Sequence, residues 1–295
     1  MAVMVTEDDS QRLADRVAEL TGTPLASIRP LGGAGFGRAY RATADDGSEL
    51  FVKATEPLPG AFDHEAYGLR RLGAVAGGAR TAAVVAADDG LLILEWVDQA
   101  PAGHAAAADF GRRLAVTHAA AATGFGRDTD SVIASEPLPA GNGYDNWPDF
   151  YAAARLTPFL ERAVARGRLD DRDRRSLQQV IDKLPSLAGA AEPPALLHGD
   201  LWSGNVLWTT DEAVLIDPAC YGGHRETDLA MLPLFGLPQL DVVLASYQQQ
   251  APLADGWQQR IAVHQLFPLL VHAVIFGGSY GAAVGDTARA CLRSS

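Results

Sequence analysis

A change of period near residue 100 constrains this chain more than any other feature. Ahead of it, two β-prone pieces, Gly37 to Ala44 and Glu49 to Ala54, flank the turn Asp45-Asp46-Gly47, the pattern of a hairpin. Ala82 to Ala86 and Leu91 to Trp96 read as further strands. Helical spacing is confined there to Thr6 to Leu20, which starts acidic and stops at Thr21-Gly22, and to Phe62 to Leu72. Beyond Val97 the pattern becomes helical: Ala-rich over His104 to Ala122, amphipathic over Trp147 to Arg166 and Asp170 to Leu184, and long over Asp255 to Phe276. Pro101 and Gly103 interrupt the periodicity between the two halves. The expectation is an α+β, two-lobed fold, with a small β-rich lobe over residues 1–97 and a larger, mainly helical lobe over 98–295. A length of 295 residues, above what one hydrophobic core ordinarily serves, agrees with two lobes sharing a cleft. No internal repeat is visible. The Gly- and Pro-rich stretch from Gly124 to Pro148 is expected to be a functional loop without a regular element.

The net charge of -12 works against a polyanionic partner, because nucleic-acid binding relies on a basic surface that releases counterions. It also disfavours anionic lipid, so neither nucleic acid nor membrane is expected as a partner. A nucleotide is still compatible, since a few main-chain amides, one lysine and a divalent cation neutralise phosphate locally. Cys220 and Cys291 have no ligand-like spacing, which suits a reducing, cytoplasmic setting, and Cys220 reads as a small core residue. Met1 to Ser10 is acidic, unlike the basic start and apolar stretch of a signal peptide, and no apolar stretch runs unbroken for the length of a membrane span.

The polar residues with chemical potential sit between apolar strands. Leu196-Leu197 runs into His198-Gly199-Asp200, and Val206-Leu207-Trp208 and Ala213 to Ile216 resume β character. Asp200 and Asn205 are five positions apart, with Asp217 ending the next strand, which is the order and spacing of a kinase catalytic loop and its metal-binding aspartate. Phosphoryl transfer leaves little covalent work to a protein; it must orient a hydroxyl, hold Mg²⁺ and offset charge. Asp200 is the candidate base, and Asn205 and Asp217 are candidate Mg²⁺ ligands offering hard oxygens. Any one of the three alone is an ordinary turn residue bonded to its own backbone. The three at this spacing, between two β-like flanks, favour the functional reading. His198 is expected to support the loop, and Asp228, near the start of a helix, to act as a cap or a loop brace.

A nucleotide side can be read upstream. Gly32, Gly33, Gly35 and Gly37 lie between β-prone pieces, where their amides could approach phosphates. No Lys-Ser/Thr follows, which excludes a helix-capping P-loop. Lys53 ends the strand Phe51-Val52-Lys53 and is the candidate phosphate contact for ATP, with Glu65, twelve residues on, as its ion-pair partner or else as a solvated helix residue. The main chain of Glu95, Trp96 and Val97 is placed to pair with adenine.

The stretches His198-Gly199-Asp200-Leu201-Trp202-Ser203-Gly204-Asn205, Leu215-Ile216-Asp217-Pro218-Ala219-Cys220-Tyr221 and His224-Arg225-Glu226-Thr227-Asp228-Leu229-Ala230-Met231-Leu232 resemble the fructosamine kinase (ketosamine-3-kinase) family. Trp147, Phe150-Tyr151 and Arg155-Leu156 resemble its aromatic-rich helix. The resemblance implies a protein-kinase-like fold of the aminoglycoside phosphotransferase type, which phosphorylates the sugar 3-hydroxyl of ketoamines, free or on glycated protein. Asp217-Pro218-Ala219 stands where protein kinases have Asp-Phe-Gly, and a proline with fixed φ argues against large Phe-driven switching. Trp202 is a candidate platform for an apolar sugar face, with core packing as its alternative. Arg225 and Glu226 line the acceptor side or form an inter-helix ion pair. Two other functions stay open on sequence: an aminoglycoside- or choline-type phosphotransferase, and a nucleotide-binding pseudokinase that serves as an interaction module.

Overall fold

The computed structural model describes residues 7–33, 37–56, 60–120 and 122–293. Its first part is a five-stranded antiparallel sheet of order β1 (Leu25–Gly33), β2 (Arg38–Ala44), β3 (Glu49–Ala54), β6 (Leu91–Glu95), β5 (Val84–Ala87). The β2–β3 hairpin turns at Asp45-Asp46-Gly47, and Gly47 supplies the positive φ of 85° that the turn needs. β6 explains its own composition. Leu91 and Ile93 join Val17 of α1 (Glu7–Thr21) on one face, and Leu92 and Leu94 join Phe62 and Leu69 beside α2 (Asp63–Gly73) on the other. A strand covered on both faces reads as a continuous apolar run instead of alternating.

β4 (Arg80–Thr81) leaves this sheet and pairs in parallel with β11 (Ala213–Leu215), which pairs antiparallel with β10 (Val206–Trp208). This small sheet stitches the first part to the segment that carries the candidate loop. Two more ribbons follow, β7 (Ser131–Ile133) with β8 (Glu136–Leu138), and β9 (Ala195–Leu197) with β12 (Tyr221–Gly223).

The larger lobe is helical: α3 (His104–Ala119), α4 (Trp147–Tyr151), a π-helical turn (Ala152–Leu156), α5 (Thr157–Ala165), α6 (Asp171–Leu187), α7 (Glu226–Met231), α8 (Leu240–Gln250), α9 (Trp257–Phe276) and α10 (Tyr280–Arg293). Asn146 and Asp170 start α4 and α6 by accepting the amides of Asp149 (3.0 Å) and Asp173 (2.7 Å). The main core joins Phe159, Leu177, Phe267, Leu270 and Val284 from α5, α6, α9 and α10. α3 lies so close to α8 that a Cβ at Gly111 would sit 2.2 Å from the Val243 carbonyl oxygen. α9 is the one helix among the described residues long and apolar enough to cross a membrane, and most of it is buried in this bundle.

Two expectations change here. The Gly124 to Pro148 stretch is not free of regular structure, because β7 and β8 form a hairpin held by Arg162 of α5, which bonds the Pro137 carbonyl at 2.6 Å, and by Arg166 just past its end, which pairs with Glu136 at 2.7 Å. α3 ends at Ala119, three residues before the expected end at Ala122, where Ala120 turns extended with ψ 131°.

Candidate active site

The segment after β9 is built as a rigid loop. Gly199 has φ 82°, and a Cβ there would stand 2.3 Å from the Ala219 carbonyl oxygen, so glycine is required by both conformation and space. Asp228 of α7 accepts the amides of His198 (2.7 Å) and Gly199 (2.9 Å), and His118 Nε2 lies 3.2 Å from the same carboxylate. Tyr247 in turn holds His118 Nδ1 at 2.9 Å. Asp228 is thus a buried brace inside α7 instead of its N-cap, and burial, which would raise its pKa, is outweighed by the His118 hydrogen bond and neighbouring groups, so the carboxyl is more acidic than usual. His198 supports the loop as expected: its Nε2 donates to the Ile216 carbonyl at 2.9 Å and its Nδ1 accepts from the Asp200 amide at 3.3 Å. Burial lowers its pKa, which keeps the ring neutral for that pairing.

Asp200 and Asn205 meet across a single turn. Asn205 Nδ2 donates to the Asp200 carbonyl (2.8 Å) and to Asp200 Oδ2 (3.0 Å), which leaves Asn205 Oδ1 unengaged among the described residues. Burial pushes the Asp200 carboxyl up to about 7; the Asn205 hydrogen bond pulls down, and the charges of Asp217 and Asp228 push up. Leu201, fully buried, anchors the turn.

Lys53, on β3, is buried beneath the sheet, with Nζ 2.8 and 3.0 Å from the two Glu65 oxygens and in contact with Asp217 Oδ1. One ammonium therefore serves two carboxylates. Burial alone would lower the Lys53 pKa, but Glu65 and Asp217 raise it above its usual value. Glu65 is lifted to about 8 by burial against the pull of Lys53, whereas Asp217 falls below the usual range because Lys53 outweighs its burial. Asp217 adopts φ 53°, a left-handed conformation that costs a non-glycine residue about 1 kcal/mol and gathers at functional sites. Asp217 and Asn205 Oδ1 offer only hard oxygens, a donor set that fits Mg²⁺.

A cavity of about 290 Å³ opens beside this cluster, walled by Leu31 and Phe51 on one side and Leu207 and Ile216 on the other, with Glu95, Trp96 and Val97 along its edge and Asp217 at one end. The Glu95 carbonyl and Val97 amide make no main-chain hydrogen bond among the described residues. The Glu95 side chain is engaged elsewhere, with Arg80 (2.8 Å) and the Ala83 amide (2.9 Å). Arg41 covers the Trp96 ring at 4.3 Å. Of the glycines, Gly32 and Gly33 close β1, Gly32 with φ 108°, and Gly37 opens β2 with φ 98°, its position for a Cβ only 2.7 Å from the Ala54 carbonyl oxygen. Gly35 lies outside the described residues.

Glu226 forms a pair between helices and Arg225 pairs with the loop ahead of β9. Glu226 is 3% exposed and bidentate with Arg260 (2.8 and 2.5 Å). Arg225 is bidentate with Glu192 (2.7 and 2.8 Å) and also bonds the Ala251 and Pro252 carbonyls, so four of its donors are spent. Of the two alternatives given for Arg225 and Glu226, ion pairing is the one seen: their partners lie 26 to 34 residues away and were invisible to local pattern. His224, Glu226 and His264 place ligand atoms within 4.8 Å of one another, yet the Arg260 guanidinium already occupies the carboxylate, which makes the group an ion pair flanked by two imidazoles that burial makes less basic. Trp202 is half-buried, lies over Gly204 and meets Phe235 edge to face at 5.7 Å. Sequence reasoning missed His118, Tyr247 and Phe235; a histidine inside an Ala-rich helix was the one visible hint.

A β-rich lobe over a helical lobe, with a paired lysine on β3 and a braced Asp-x₄-Asn loop at the cleft, defines a protein-kinase-like phosphotransferase. The family described as fructosamine kinase matches residues 10–294, and the chain belongs to it. It is 34% identical to a Synechocystis protein named a probable ketoamine kinase, over 96% of this chain and 97% of that one. It is similar to the crystal structure of a Thermobifida fusca protein named as a candidate fructosamine-3-kinase, with 48% identity and a TM-score of 0.91 over 95% and 98% of the two chains. The fold extends to aminoglycoside phosphotransferase APH(4)-Ia, solved with ADP and hygromycin B, at 19% identity and a TM-score of 0.64 over 96% and 98%. The protein is thus an ATP-dependent kinase of sugar amines.

Proposed function

We propose that this kinase transfers the γ-phosphoryl group of ATP to the sugar 3-hydroxyl of ketosamines, whether fructosamines or ribulosamines, free or borne on protein. The observation that carries the reading is Asp200, held by Asn205 and lifted toward neutrality beside the Lys53–Glu65–Asp217 cluster. A carboxylate with a pKa near the working pH is suited to take a hydroxyl proton as the oxygen attacks phosphorus. In that step the new bond joins the sugar oxygen to the γ-phosphorus, the bond to the bridging oxygen breaks, ADP leaves, and Asp200 holds the proton. The adenine fits the slot with its edge against the Glu95 carbonyl and the Val97 amide. Lys53, fixed by Glu65, faces the phosphates, with Gly32, Gly33 and Gly37 at the strand ends that cover them. Asp217 and Asn205 Oδ1 would hold Mg²⁺, which when bound offsets phosphate charge. Trp202 offers its ring to the apolar face of the sugar.

Asp200→Asn tests the role directly. The variant is expected to lose about 10²–10⁴ in kcat while nucleotide affinity, measured by titration, stays close to wild type. An unchanged kcat would remove Asp200 from the role of base.

A further inference from the structure

A chain of buried polar groups runs from the catalytic loop through α3 and α8 to Glu192, ahead of β9, and each link has a fixed direction. Asp228 accepts three donors: the His198 amide and His118 Nε2 on Oδ2, at 2.7 and 3.2 Å, and the Gly199 amide on Oδ1, at 2.9 Å. A carboxylate held by three donors is fixed in rotation as well as in position. At the other end, Arg225 is bidentate on Glu192 and bonds the Ala251 and Pro252 carbonyls, which leaves one guanidinium N–H for the Tyr247 hydroxyl. Burial raises the Tyr247 pKa and Arg225 pulls against it. Because a guanidinium can only donate, it occupies the phenol oxygen and turns the hydroxyl proton toward His118 Nδ1, 2.9 Å away. The proton on Nε2 then faces Asp228. His118, Tyr247 and Asp228 are all buried, and the contact between their helices is close: a Cβ at Gly111, two turns before His118 on α3, would stand 3.0 Å from the Tyr247 amide nitrogen.

We propose that Tyr247 and His118 are positioning residues for phosphoryl transfer, the links through which Arg225 sets the loop that carries Asp200. The inference rests on the reading of Asp200 as the base. Asp228 alone ties the loop to α7; the two further links tie it to α3 and α8 as well. The Tyr247 O–H selects the His118 tautomer with its proton on Nε2. Without that hydroxyl the proton is free to move to Nδ1, and Nε2 then turns a lone pair toward the Asp228 carboxylate, which rotates away and takes the two loop amides with it. Asp200 follows Gly199 directly, so the rotation moves the carboxylate that takes the substrate proton, and displacement by about 1 Å is enough to lower the rate by up to about 10². The other fully buried tyrosine of this lobe's helices, Tyr151, makes a useful contrast. Its hydroxyl bonds the Val263 and His264 carbonyls of α9 at 3.0 and 3.1 Å, and so serves helix packing and not the loop.

The test measures kcat, KM for ATP and the thermal midpoint, with a fructosamine as acceptor, in Tyr247→Phe, His118→Asn, the double variant and Tyr151→Phe. Tyr247→Phe removes one oxygen and is expected to lower kcat by about three- to ten-fold, the rate equivalent of one buried hydrogen bond, with KM for ATP unchanged. Tyr151→Phe removes the same atom from an equally buried site and is expected to lower the thermal midpoint while kcat stays at the wild-type value. His118→Asn has too short a side chain to span Tyr247 and Asp228, so Tyr247→Phe added to it is expected to lower kcat no further. Losses in kcat that multiply in the double variant overturn the inference. Equal kcat losses in Tyr247→Phe and Tyr151→Phe overturn it as well, because general loosening then accounts for both. If His118→Asn fails to fold, the comparison of the two tyrosine variants decides alone. Asp200→Asn assayed alongside keeps the two readings apart: an impaired Asp200→Asn with a normal Tyr247→Phe overturns the relay only, whereas a normal Asp200→Asn removes the base and the inference with it.

Discussion

Removing the Asp228 carboxylate is the sharpest structural perturbation available, because it strips the catalytic loop of its brace without touching any group proposed to meet substrate. In Asp228→Ala the amides of His198 and Gly199, which now donate at 2.7 and 2.9 Å, lose their acceptor in a buried site. Each orphaned amide costs about 1–3 kcal/mol, and His118 Nε2 loses its partner as well, so the expected destabilisation is about 4 kcal/mol. That is a large share of the roughly 5–15 kcal/mol that holds a folded domain. Asp228→Asn keeps one acceptor oxygen but turns an NH₂ toward the second amide, and it is expected to lose about half as much. Urea denaturation reads both values from the midpoint, provided that the slope is unchanged. A loop displaced by about 1 Å is also expected to lower kcat by about 10². Nucleotide binding, which uses the slot along Glu95 to Val97, is expected to stay near wild type. A destabilisation of Asp228→Ala below about 1 kcal/mol together with normal kcat would refute the brace.

Lys53→Met leaves Glu65 and Asp217 without their shared cation, and kcat/KM for ATP is expected to fall by about 10²–10³; normal turnover with normal ATP affinity would sink the assignment. The Glu226–Arg260 pair predicts an acid-sensitive contribution to stability. Burial would raise the Glu226 pKa, but the His264 and Arg260 contacts bring it from 4.5 to about 2. Because the folded carboxyl is the more acidic, its contribution is complete above pH 4.5 and disappears as pH falls toward 2. With allowance for partial screening it amounts to about 2 kcal/mol, and Glu226→Gln should flatten that part of the stability–pH curve; an identical curve would contradict the pairing.

What could be read in the chain before folding was what local spacing encodes. Asp200 and Asn205 meet because five residues span one turn, and the Lys53–Glu65 pair forms because a strand and the next helix bring them together. The alternation of β2 and β3 and the Asp-Asp-Gly turn were equally local. What escaped depended on partners far along the chain. Arg225 finds Glu192 at 33 and His118 reaches Tyr247 at 129, and although a brace was one of the two roles expected of Asp228, the loop amides it holds lie about 30 residues upstream. No pattern within a window announces such pairs, so Arg225 and Glu226 stayed open on sequence between the acceptor side and an ion pair. α8 and α10 went unforeseen for a related reason. α8 begins after Gln239 in a left-handed conformation without a side-chain cap, and α10 is rich in Ala and Gly, so neither displays a start signal. The β7–β8 hairpin was hidden by Pro137 within a three-residue strand, tolerated because tertiary contacts from α5 hold it.

The central claim is that the Asp200 site places phosphate on the sugar 3-hydroxyl of a ketoamine. The direct measurement is ATP turnover on a panel of fructosamines, ribulosamines, aminoglycosides and choline, with phosphorus–proton NMR of the product to locate the new ester. The account predicts turnover of the ketoamines and a phosphate coupled to the proton at C3. Turnover of only the antibiotic or the amino alcohol, or a ketoamine phosphorylated at another carbon, would contradict it.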